Sequence, residues 1–121
     1  MTKQINLKNL KYATKQQIFD QVAAHLLKQM RRSTRSENVS SCMYRGANGL
    51  KCAAGILIDD NEYKDKMEGR SWIDLVEFGI VPIRNFEFIR ELQILHDSKS
   101  VYYWPDLLRL LAKKYKLKCN F

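Results

Sequence analysis

Asn48-Gly49 is the feature that most constrains this chain. A tight reversal of type I′ needs positive φ at both central positions, and Asn-Gly tolerates that best. The pair sits inside Cys42–Gly55, Cys-Met-Tyr-Arg-Gly-Ala-Asn-Gly-Leu-Lys-Cys-Ala-Ala-Gly, where turn chemistry, small residues, two cations and two thiols converge. Met43-Tyr44-Arg45 and Leu50-Lys51-Cys52 are expected to form the two short strands of a hairpin. In the tightest register Cys52 opposes Arg45 and Cys42 opposes Gly55. Side chains alternate along a strand, so the two thiols then point to opposite faces. A three-residue loop would change that pairing.

The rest of the chain reads as helix. Ile18, Phe19, Val22, Leu26, Leu27 and Met30 recur at three- and four-residue steps and predict a helix over 15–31, with Thr14 as its cap. Asp59 or Asp60 can cap a short helix over 62–67, which Gly69 ends. Ser71 precedes Trp72, Ile73, Leu75, Val76 and Phe78 on another short helix closed by Gly79 and Pro82. A third spans 84–96 with Phe88, Ile89, Leu92 and Leu95 on one side. Trp104-Pro105 opens the last helix, whose apolar side is Leu107, Leu108, Leu110, Leu111 and Tyr115. The fold class expected is mainly α (α+β): a compact helical bundle carrying one small β-hairpin near residues 42–53. The 121 residues suit a single domain, 1–121, with a basic arm over 1–11 that can be flexible and a mobile loop over 33–41.

Charge is uneven along the chain. Residues 1–36 hold eight Lys/Arg against one acid, residues 37–100 eight against eleven, and residues 101–121 five against one, for a net +8. Basic ends around a mildly acidic middle point to a nucleic-acid or acidic-protein partner, although solubility alone can produce the same pattern. No apolar run approaches the roughly 20 residues of a membrane helix. Met1-Thr2-Lys3-Gln4-Ile5-Asn6 lacks the apolar run of a secretory signal, and three cysteines without regular spacing do not make a disulfide scaffold. A cytoplasmic protein that does not engage membranes is expected.

Tyr44-Arg45-Gly46, Asn48-Gly49-Leu50-Lys51-Cys52-Ala53-Ala54-Gly55, Leu57-Ile58-Asp59-Asp60 and Tyr63 occur in an order that resembles a widespread set of small bacterial and phage proteins of unassigned function. The helix around Gln17–Val22 with His25-Leu26-Leu27, then Met67-Glu68-Gly69, Leu92-Gln93 with His96-Asp97, and Trp104 extend the resemblance. It implies a shared fold and no mechanism. The Lys- and Asn-rich composition suits a phage or an AT-rich bacterial genome, and a small basic phage protein is often a modulator of a host or defence protein.

Arg45 and Lys51 flank the turn and could hold a phosphate or carboxylate, or be solvated charges on an exposed hairpin. Cys52 follows Lys51, and a neighbouring cation can lower a thiol pKa. With His25 or His96 near, Cys52 would be a candidate nucleophile; followed by Ala53-Ala54, it reads better as a small buried residue. His96-Asp97 at a helix end suits the C-terminal dipole better than a hydrolase site. Asp59, Asp60 and Glu62 read as capping acids rather than a cation site. Cys42, Cys52, Cys119, His25 and His96 lack the paired spacings of structural zinc, so no metal and no cofactor are expected.

The binding residues nominated are Arg31, Arg32, Arg35, Tyr44, Arg45, Lys51, Lys113 and Lys114. The leading expectation is a non-enzymatic interaction protein that binds, and modulates or inhibits, an acidic host or defence protein or a nucleoprotein complex. Its basic ends would form one patch if they fold together, with Tyr12, Tyr102-Tyr103 and Tyr115 as stacking surfaces. The alternatives are an enzyme acting on a small anionic substrate through Arg45, Lys51, Cys52 and His96, a nucleic-acid-binding protein, and a self-associating domain. Oligomeric state stays open.

Overall fold

Thr14 starts the longest helix by a reciprocal cap. Its hydroxyl accepts the Gln17 N–H at 3.1 Å while the Gln17 side chain accepts the Thr14 N–H at 2.9 Å. In the computed structural model, which describes residues 4–36 and 42–121, this helix, α1, runs Lys15–Gln29. It stops two residues short of the sequence expectation, because Met30 turns left-handed at φ 46°. Ile18, Phe19, Val22, Ala23 and Leu26 form its buried face. Helix α2, Trp72–Glu77, repeats the reciprocal cap with Ser71 and Asp74. Helix α3 spans Phe86–Ser98, and α4 spans Trp104–Lys114 with a proline in its first turn. The short turn Val101–Tyr103 joins them.

α1 packs against α3, α4 and a 3-10 turn over Gly55–Leu57, and α2 packs on α3. Trp104, Phe19, Phe88, Leu26, Leu57 and Leu92 are among the fully buried side chains at the centre. Each contributes roughly 1.5–3 kcal/mol by leaving water. The C-terminal segment closes over α1, with the Phe121 ring stacked on Phe19 at 6.2 Å. The described part of the basic arm, 4–11, packs as well. Ile5 exchanges two backbone hydrogen bonds with the Gln21 side chain, at 2.7 and 2.9 Å, and Leu10 is buried. The loop expected to be mobile over 33–41 lies partly outside the described residues. No helix among the described residues is long and apolar enough to cross a membrane.

The β-hairpin expected near 42–53 does not form, so the α+β fold class is corrected to a helical fold with no strands among the described residues. The reversal itself is present. Asn48 and Gly49 adopt φ 57° and 78°, and the Leu50 N–H bonds the Ala47 carbonyl at 3.1 Å. Only one isolated bridge follows it, Arg45 with Lys51, which is one residue out of the expected register. The reason lies in where the ladder groups go. The Tyr44 and Arg45 N–H groups each donate to the Glu68 carboxylate at 3.0 Å. The Lys51 N–H donates to Gln29 at 3.1 Å, and its carbonyl accepts from Gln29 and His25 at 2.9 and 2.8 Å. The Gly46 N–H still donates across the turn to the Leu50 carbonyl at 2.8 Å, but the side chains of Glu68, Gln29 and His25 take the next backbone groups, so the pairing does not extend into a ladder. The helix expected over 62–67 is likewise only a 3-10 turn, Asp65–Met67.

Candidate functional site

Behind the reversal lies a cleft of about 450 Å³. Tyr44, Cys42 and Cys52 come to it from the loop, Trp72 from α2, and Arg90, Gln93 and Asp97 from α3. Both thiols line it. The expectation that they point to opposite faces is therefore corrected, because without strands the alternation it rested on does not apply. Trp72 brings a buried indole N–H that has no acceptor among the described residues.

Asp97 is the hub of this region. Its Oδ1 accepts from His96 Nδ1 and from Gln93 Nε2, both at 2.7 Å, and the Cys42 thiol also hydrogen bonds to it. Buried His96 accepts the Ser33 backbone N–H at Nε2, 3.0 Å away. A backbone N–H can only donate, so Nε2 carries the lone pair and the ring proton sits on Nδ1, facing Asp97. Gln93 completes the clamp by accepting the Ala54 N–H at 2.8 Å. Through these groups one turn of α3 holds both halves of the loop.

That order of groups decides the chemistry. In thiol catalysis an imidazole stands between cysteine and carboxylate and takes the thiol proton. Here the carboxylate stands in the middle. Burial, then Asp97, pushes the Cys42 thiol up to about 12, which is the opposite of activation. Cys42, His96 and Asp97 place a sulfur, a nitrogen and an oxygen within 4.8 Å of one another. A cation there would require His96 either to release the Ser33 N–H or to lose its Nδ1 proton, whereas a ligating imidazole normally donates through its other nitrogen. The donor set as arranged suits a hydrogen-bonded clamp.

The other nominated residues are dispersed. Arg45 and Lys51 do flank the turn, but both meet Asp60, at 3.1 and 3.3 Å. Arg45 also donates to the Gly55 and Ile58 carbonyls at 2.8 and 2.6 Å and lies over the Tyr63 ring. It ties the chain together more than it offers a charge. Cys52 is 1% exposed and its sulfur accepts the Gly55 N–H. Burial pushes its thiol to about 12, against that bond. His25, not His96, reaches Lys51. Buried Tyr44 donates its hydroxyl to the Arg70 carbonyl at 2.7 Å. Asp59 and Glu62 hold the N-terminal segment through Asn6 and Leu7.

Part of the C-terminal basic end lies apart from the arginines. Gln16 and the Lys118 backbone exchange hydrogen bonds at 3.0 and 2.8 Å, which sets Lys116 and Lys118 beside the start of α1. Arg31, Arg32 and Arg35 follow its other end, roughly 22 Å away for a 15-residue helix. There Arg32 Nη2 donates to the Lys99 carbonyl at 2.6 Å, joining the arginines to the end of α3. Tyr102 and Tyr103 come next, 81% and 54% exposed, as an edge-to-face pair. Lys113 is exposed, and Lys114 pairs with Glu91. Sequence reasoning weighed Cys42 only as a hairpin residue and a zinc ligand, and nominated neither Gln93 nor Lys99. Of these only Gln93 carried a signal, as part of the Leu92-Gln93 with His96-Asp97 pattern.

No family model matches the chain, and comparisons with curated proteins and with solved structures found no match.

Proposed function

We propose that this is a small non-enzymatic interaction protein. It binds an acidic protein, alone or within a nucleoprotein complex, and modulates it by occupancy. The observation that carries the reading is the Arg32–Lys99 hydrogen bond, because it joins an arginine-rich segment to an exposed tyrosine pair from a distant part of the chain. Arginine and tyrosine are the side chains that most often anchor protein interfaces. The enzyme alternative loses support because Cys42 and Cys52 are held as thiols and Arg45 and Lys51 both pair with the exposed Asp60 carboxylate of the same chain. The exposed tyrosines beside arginine also fit single-stranded nucleic acid, which stacks on such rings.

The test is capture from lysate, with and without nuclease, using wild-type protein and the Arg31→Glu/Arg35→Glu variant. A stoichiometric protein retained by the first and lost by the second, at unchanged melting temperature, supports the proposal. Capture that survives the charge reversal overturns the surface. Capture that vanishes with nuclease moves the reading to nucleic acid.

A further inference from the structure

α4 carries more apolar surface than the core uses. Trp104, Leu108 and Ala112 face inward and are buried. Leu107, Leu110 and Leu111 form a second stripe at three- and four-residue spacing, and Leu110 is 62% exposed. Across from it, α3 presents Ile94, 41% exposed. Between them runs a groove of about 390 Å³ with an apolar floor and Glu91, Lys99 and Lys114 at its rim. An apolar patch with a charged rim is what a docking site presents to water.

We propose that this groove seats an amphipathic helix of a protein partner, one with apolar residues at i, i+3, i+4 and i+7 and acidic residues flanking them. The proposal rests on the protein-partner reading above and names the element that partner inserts. Charge selects the occupant. Lys99 and Lys113 make no ion pair among the described residues, while Glu91 and Asp106 are already neutralised by Lys114 and Arg109. The rim is therefore net positive through Lys99, with exposed Lys113 one turn along α4 from Leu110, on a chain of +8. A second copy seated here would set lysines against lysines, whereas an acidic helix meets them with complementary charge. The helices are long enough, since α3 has 13 residues and α4 has 11, or roughly 20 and 16 Å. The groove also reaches Lys99, whose carbonyl Arg32 holds. Apolar anchor and arginine face thus form one continuous surface.

The probe is a fluorescent synthetic peptide of about 18 residues, five helical turns, with leucines in that pattern and glutamates elsewhere. A second peptide has the same composition with the leucines dispersed. Anisotropy should show the patterned peptide binding wild-type protein, and Leu110→Asp and Ile94→Asp each weakening it roughly tenfold or more. Melting curves establish that the variants fold; Leu110→Ala stands in for any that does not. Equal binding by the dispersed peptide, or by Leu110→Asp protein, overturns the groove in favour of charge alone. Sedimentation showing a wild-type dimer that Leu110→Asp dissociates overturns it in favour of a second copy. The Arg31→Glu/Arg35→Glu capture separates the two readings. If the groove fails while that capture is still lost, the proposed function stands. If the capture survives while the peptide still depends on Leu110, the arginine surface fails alone.

Discussion

Gln93 holds Ala54 from one turn of α3: its side-chain carbonyl accepts the Ala54 N–H at 2.8 Å while its amide donates to Asp97 at 2.7 Å. A glutamine satisfies both because it is donor and acceptor at once. Gln93→Ala leaves a buried N–H unpaired and should cost about 1–3 kcal/mol. Gln93→Glu keeps the acceptor for Ala54 but sets a carboxylate against Asp97. Like charge raises a carboxyl pKa in the folded state, so relative to wild type this variant should gain stability as pH falls from 7 toward 5. Urea midpoints at the two pH values check it. A Gln93→Glu protein that weakens on acidification as wild type does would show that the two side chains do not meet.

Gly55 is required by proximity, Gly49 by conformation. A Cβ on Gly55 would lie 2.4 Å from the Tyr44 carbonyl oxygen, a backbone atom that cannot step aside. Gly55→Ala should therefore cost roughly 1–3 kcal/mol through overpacking. At Gly49 nothing lies within 4 Å, but φ is +78°, and an alanine there should cost roughly 1–2 kcal/mol from the left-handed backbone. The two differ in reach. Gly55→Ala should shift the amide resonances of Tyr44 and Cys52, and Gly49→Ala only those of the turn. A Gly55→Ala protein as stable as wild type, with unmoved resonances, would contradict the close approach.

These residues also mark how far the sequence could be read. Local chemistry was legible. The apolar periods of α1, α3 and α4 and the positive φ at Asn48 and Gly49 depend on residues a few positions apart. The strands were not. A three-residue flank is too short for alternation to show, and its partners proved to be Glu68, Gln29 and His25. The site failed for the same reason. That Arg45 and Lys51 flank the turn follows from the turn, but that Asp60 occupies both follows only from packing. Sequence order likewise could not say which histidine reaches Lys51.

The three cysteines should separate cleanly with a thiol reagent. Burial pushes both Cys42 and Cys52 up to about 12, with Asp97 adding to the effect at Cys42. Cys119 lies near the chain end and is only partly covered. At pH 8 one equivalent should react quickly, and mass spectrometry should place it at Cys119. Cys42, partly covered like Cys119 but hydrogen-bonded to Asp97, should follow more slowly, and Cys52 should wait for unfolding. Rapid modification of Cys52 in the native protein would revive the enzyme alternative.

His25 should make stability depend on pH near neutrality. Its Nε2–H donates to the Lys51 carbonyl at 2.8 Å. Burial holds its pKa below the usual value; the backbone bond opposes this, and the Lys51 charge adds to it. The unfolded chain, with a histidine pKa of about 6.5, then binds a proton before the folded chain does. Stability is complete above that value and is lost as pH falls from it toward the lower folded pKa. The carboxylates held below their usual range, Asp60 and Glu91, titrate at lower pH and leave this window clear. Thermal melts of wild type between about pH 7.5 and 5.5 should show the decline, and His25→Gln should reduce its slope. An unchanged slope in the variant would assign the dependence to another group.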